Sequence, residues 1–170
     1  MNASRALILA MAGLVSAASG SPGAETCSEH LFVIERSKNS NIVAYDANRN
    51  SSGEWNSSEP VIAYWLLNGD KNKREELNRV ERERAYGVEA KPGDSVGTYF
   101  LVFKATRKRR QTIRMLNGCP VATGSIKGHD AILRKIFVKS KEGLRPSVEY
   151  VEIFGEDLAT GRPLYEKFVP

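Results

Sequence analysis

The chain is poor in the side chains that most often carry out chemistry. Its 170 residues include two histidines and two cysteines. Neither His30 nor His129 has partners at metal-ligand spacing; His129 has only Asp130 beside it. A zinc site needs three or four converging ligands, so no metal site is expected. No serine stands in a Gly-Xaa-Ser-Xaa-Gly turn, and phosphate-loop and dinucleotide fingerprints are missing. No cofactor is therefore expected. Repeats and low-complexity tracts are also lacking, which excludes solenoids and propellers.

The chain has few long apolar runs. A bilayer-spanning helix needs about 20 apolar residues, whereas the one conspicuous stretch, residues 6–15, is only half that length. It follows a short start carrying Arg5 and precedes the small residues Ser16-Ala17-Ala18-Ser19-Gly20. That order is the charged, apolar and cleavage region of a secretory signal peptide. Residues 1–20 are read as the signal, residues 21–30 as an N-terminal arm and residues 31–170 as a single β-rich domain. A lipid anchor on Cys27 is disfavoured, because Ala24-Glu25-Thr26 places an acid where a lipobox has none. The expected address is the periplasm or the extracellular space, with no transmembrane segment left after cleavage.

Strong charge of one sign is missing too. Without Arg5 the exported chain keeps one fewer than the 25 Lys+Arg of the whole, against 20 Asp+Glu. That mild excess is no nucleic-acid signature, and nucleic acid is not an expected partner. In an oxidising compartment the two cysteines, Cys27 and Cys119, are expected to be bridged. The competing reading makes Cys119 a nucleophile with His129 as its base.

Residues rich in β-branched and aromatic side chains follow. Leu31-Phe32-Val33-Ile34 and Asn41-Ile42-Val43-Ala44-Tyr45 flank the turn chemistry of Ser37-Lys38-Asn39-Ser40 and predict a hairpin. Residues 46–60 read as a polar loop. Residues 61–67 are apolar on both faces and predict a buried central strand. Residues 71–86 are full of helix formers, with Leu77, Val80 and Ala85 as a narrow apolar stripe, and predict the one helix. Strands are expected again at 98–105, 111–116, 131–139, 147–154 and 164–169, with loops around Gly118-Cys119-Pro120 and 155–163. The predicted fold is mainly β: an antiparallel β-sandwich or barrel of about eight strands with one short helix.

Three groups of residues could form a site. Tyr45, Tyr64, Trp65 and Tyr86 could line a concavity, with Arg36, Asn39 and Asn41 at its rim. Each also has a plain structural use, the aromatics in a β core and the asparagines in turns. A basic run, Lys104, Arg107, Lys108, Arg109, Arg110 and Arg114, could meet an anionic surface; equally, it could be a solvated hairpin tip. Glu35, Glu81 and His129 are the acid–base residues available to an enzyme.

Residues 32–48, from Phe32 to Asn48, are distinctive in combination with Ala63-Tyr64-Trp65, Glu81-Arg82, Ala85-Tyr86-Gly87, Phe154-Gly155 and Thr160-Gly161. In this order they resemble the bacterial exported family known only as domain of unknown function 4833. The resemblance implies a single exported domain and carries no reaction with it. The function expected is a small exported binding or interaction module, its partner a small molecule or an anionic envelope component. The alternative is an envelope hydrolase or transferase using carboxylate and histidine acid–base residues.

Overall fold

The structure is a computed structural model and describes residues 27–103, 109–141 and 147–170. Its elements, in chain order, are β1 (His30–Arg36), β2 (Asn39–Ala47), β3 (Val61–Leu66), β4 (Arg74–Glu76), α1 (Arg79–Arg84), β5 (Val88–Pro92) and β6 (Tyr99–Phe103). They continue with β7 (Gln111–Leu116), β8 (Cys119–Ile126), β9 (His129–Ser140), β10 (Val148–Asp157) and β11 (Pro163–Phe168). The fold is mainly β, with one α-helix among the described residues.

The strands form one curled sheet in the order β4-β3-β2-β1-β9-β8-β7-β6-β5, with β10 and β11 branching from β9. The long strand β9 organises it. Its first residues pair with β8 and its later ones, Lys135 to Val138, pair with β1. β10 runs antiparallel along almost all of β9 and pairs with Ile136 and Val138, so it occupies the opposite edge. Where β9 passes its edge from β8 to β1, the sheet divides into two wings that curl toward each other. Phe103 of β6 meets the rings of Phe32 and Tyr45 edge-on, each at 5.8 Å, so the wings share one core.

A curled, half-closed sheet agrees in outline with the sandwich or barrel expected. The strand number does not, and the β1–β9 pair is parallel. The three additional strands have separate causes. β8 begins at Cys119 because Asn117 and Gly118 both take positive φ, 51° and 81°, and close a two-residue hairpin. Lys127 and Gly128 repeat the device at the β8–β9 turn. β5 lies at the sheet edge, where Pro92 need not donate a ladder hydrogen bond. β4 falls inside the predicted helix, but Arg74, Glu75 and Glu76 instead pair with Leu66, Trp65 and Tyr64.

The helix is correspondingly shorter than predicted. Asn78 accepts from the backbone amide of Glu81, and the Glu81 carboxylate accepts from the amide of Asn78. This reciprocal cap sets the start of α1 beyond the β4 strand. The expected apolar stripe does not form: Leu77 is buried ahead of the helix, while Val80 is 62% exposed.

A disulfide joins Cys27 to Cys119 with a Cα–Cα distance of 5.2 Å. It ties the arm before β1 to the start of β8, across 92 residues of sequence. Cys119 is therefore no free nucleophile. Residues 1–20, read from the sequence as a signal peptide, lie outside the described residues.

Candidate functional site

Strand alternation aims Ile34 and Arg36 of β1 into the space between the wings, beside Phe32. The same rule brings Gln111 and Ile113 inward from β7. A cleft of about 80 Å³ opens where these faces meet the chain after α1. Its floor is aliphatic: Ile34, Ile136, Val138, Val151 and Ile153. Tyr86, Phe103 and Phe168 contribute rings to its walls. Three polar side chains, Arg36, Arg109 and Gln111, line this otherwise apolar space.

Arg36 is the least compensated of the three. Its guanidinium lies 4.8 Å from the centre of the Tyr86 ring, a cation–π contact. Its Nε is buried without a hydrogen-bond partner. Among the described residues no carboxylate forms an ion pair with it. Gln111 is 4% exposed, and its Oε1 is also buried and unpartnered. The amide fits because residue 124 is glycine: a Cβ there would fall 2.0 Å from that oxygen.

Arg109 is neutralised. It grips Glu166 through both terminal nitrogens, one contact being 3.1 Å, and its guanidinium lies 4.2 Å above the Phe168 ring. The hydrogen bond from Arg109 holds the Glu166 carboxyl below its ordinary range. The Lys127 amide and the charges of Arg109 and Lys127 add to this, against an opposing effect of burial.

Tyr86 is fixed from behind. Its carbonyl accepts from the Tyr45 hydroxyl at 2.8 Å, and Trp65 meets its ring edge-on at 4.9 Å. Burial pushes the Tyr86 phenol above its usual range, the Arg36 charge opposes this, and Glu81 reinforces it.

The seven residues expected to share one concavity take different places. Arg36 and Tyr86 line the cleft. Tyr45 is wholly buried, stacked on Phe32 at 4.5 Å, and acts through its bond to Tyr86. Trp65 is in the core and donates from Nε1 to Glu81 at 3.1 Å. Tyr64 faces the other side of the sheet. There it donates to Asp46 at 2.6 Å, beneath the Arg74 guanidinium. Burial would raise the Asp46 carboxyl, but hydrogen bonds from His30 and Tyr64, with the His30 and Arg74 charges, outweigh it and hold it low. Asn39 accepts from the Asn41 amide, and Asn41 accepts from the Asn68 amide, so both serve turns.

The basic run divides as well. Lys104, Arg107 and Lys108 lie outside the described residues. Arg109 folds back onto Glu166 and Phe168, and Arg110 lies over the Phe100 ring at 5.5 Å. The acid–base candidates are separately engaged: Glu35 with Lys135 at 3.5 Å, Glu81 with the α1 cap and Trp65, and His129 with Asp157 at 3.3 Å.

A family model described as Domain of unknown function (DUF4833) matches residues 32–167. The chain belongs to this family. The DUF4833 match runs from the third residue of β1 to the penultimate residue of β11, so it includes Arg36, Tyr86, Arg109 and Gln111. No curated protein matches the chain, and no solved structure does.

Gln111 and Phe168 are not among the residues that the sequence singles out. The signal for Gln111 is faint: a lone amide in phase with Ile113 on an inward face. Phe168 carries none, because its role depends on β11 pairing with β10 beside Val151.

Proposed function

We propose that this DUF4833 chain is an exported binding module for a small organic acid with an apolar body, held in the Arg36 cleft. The observation that supports the reading is Arg36 itself. An unpaired cation in an apolar site is costly unless a counter-charge arrives, and Arg36 has a partnerless Nε there. In this reading the ligand's acid group pairs with Arg36 and a hydroxyl or amide donor on it reaches Gln111 Oε1. Its hydrocarbon part covers Ile34, Ile136 and Ile153. Arg109, already balanced by Glu166, positions Phe168 as a wall.

Export rests on residues 1–20 and is supported by the disulfide, since such bonds persist in oxidising compartments. Cell fractionation of the full-length protein tests it: the expected product is an envelope or extracellular chain that has lost residues 1 to about 20. Native mass spectrometry of that product tests the binding reading. The expected spectrum shows a bound acid that disappears in Arg36→Met while the fold persists. A wild-type chain that always emerges without a bound mass, and an Arg36→Met chain that retains one, each count against it.

A further inference from the structure

β7 has a second face. Gln111 and Ile113 point into the core, so Thr112 and Arg114 point outward. Cross-strand pairing sets Phe100, Thr112 and Thr123 in one row across β6, β7 and β8. The β5–β6 connection, carrying Asp94, borders this row on one side, and Asp130 at the start of β9 borders it on the other. Between them is a groove of about 350 Å³, far roomier than the inner cleft and of ordinary small-ligand size.

The chemistry of this groove is unlike that of the cleft. Thr112 offers a hydroxyl that can both donate and accept, whereas Thr123 Oγ1 donates to the Thr112 carbonyl at 3.3 Å and is left as an acceptor. Arg114 Nε is buried with no hydrogen-bond partner. Among the described residues neither the Asp94 nor the Asp130 carboxylate has an ion-pair partner. Phe100 adds one aromatic ring to the lining. The two carboxylates are balanced by Arg114 and by Arg110 over the Phe100 ring, so the groove has no net charge to hold an ion, and the density of polar groups disfavours an apolar guest. A neutral ligand with many adjacent hydroxyls satisfies both sets: its O–H groups donate to the carboxylates and to Thr123 Oγ1, and its oxygens accept from Arg114 and Thr112.

We infer that the outer face of β6–β8 is a second binding site, independent of the Arg36 cleft, for a neutral saccharide of one or two rings. The test follows amide chemical shifts of the isotope-labelled chain during titration with cellobiose, maltose and N,N′-diacetylchitobiose, with inorganic phosphate as the anionic control. At least one disaccharide is expected to give saturable shifts at Thr112, Thr123 and Asp130 and none at Arg36 or Tyr86. Thr112→Val and, separately, Asp94→Asn on the exposed loop are each expected to weaken binding by about tenfold, the scale of a lost hydrogen bond. Arg36→Met is expected to leave it unchanged, so failure of the cleft reading does not decide this one. The inference is overturned if no disaccharide moves these amides, if phosphate moves them instead, or if both groove variants bind like the wild type.

Discussion

The Tyr45 hydroxyl donates to the Tyr86 carbonyl at 2.8 Å, joining β2 to the end of α1 across 41 residues of sequence. Tyr45 has no exposed surface, and burial drives its phenol far above the usual range, with Tyr86 adding to the rise and Arg36 opposing it. It is therefore a neutral donor throughout the working pH range. Removing the hydroxyl leaves a buried carbonyl without its partner, which costs about 1–3 kcal/mol. Urea unfolding of Tyr45→Phe should show a loss of that size. Stability equal to the wild type would mean that water replaces the hydroxyl and that Tyr86 is not held from behind.

The bridge between Cys27 and Cys119 closes a large loop. In the chain-entropy account a closure of this length stabilises by about 4–5 kcal/mol, by restricting the unfolded chain. The double variant Cys27→Ser, Cys119→Ser should lose most of that in denaturant unfolding. An unchanged midpoint would show that the arm contributes nothing to the domain.

Glu166 gives the fold a defined acid sensitivity. Its folded carboxyl titrates below the ordinary range because Arg109 donates to it. Its contribution is therefore complete above the unfolded value of about 4.3 and is lost as pH falls through the folded one. Melting temperatures measured from neutral pH down to acid should fall for the wild type in that window and fall less steeply for Glu166→Gln. Parallel curves would remove the Arg109–Glu166 pair from the account of acid stability.

Gly155 is a packing requirement. A Cβ at this position would lie 2.3 Å from the Ile132 carbonyl oxygen and 2.6 Å from Ile126 Cδ1, where β10 crosses close to β9 and β8. The first obstacle is backbone and has no rotamer by which to yield. Gly155→Ala should cost about 1–3 kcal/mol or more, the usual range for overpacking, seen as a lowered thermal midpoint. A neutral effect would mean that the β9–β10 register gives way easily.

What the sequence disclosed follows the range of the forces involved. The first hairpin and β7 are legible because alternation and turn residues act locally. Residues 71–78 mislead: Glu75 and Glu76 are good helix formers, but the open edge of β3 captures them as β4. β8 is hidden because Gly118-Cys119-Pro120 looks like a loop until Asn117 is read with Gly118 as a hairpin turn. Arg36 and Tyr86 stand out as site residues, yet their partners are long-range. Arg109 reads as part of a tip and instead lies against Phe168, near the other end of the chain. No periodicity within β1 or β7 reveals that their inward faces meet across a cleft.

Titration of the chain with hexanoate, a short acid with an apolar tail, tests the cleft most directly. The account predicts saturable amide shifts centred on Arg36, Tyr86 and Gln111, abolished in Arg36→Met while Thr112→Val binds as the wild type does. Shifts that centre elsewhere, or that persist at full strength without the Arg36 guanidinium, would contradict it.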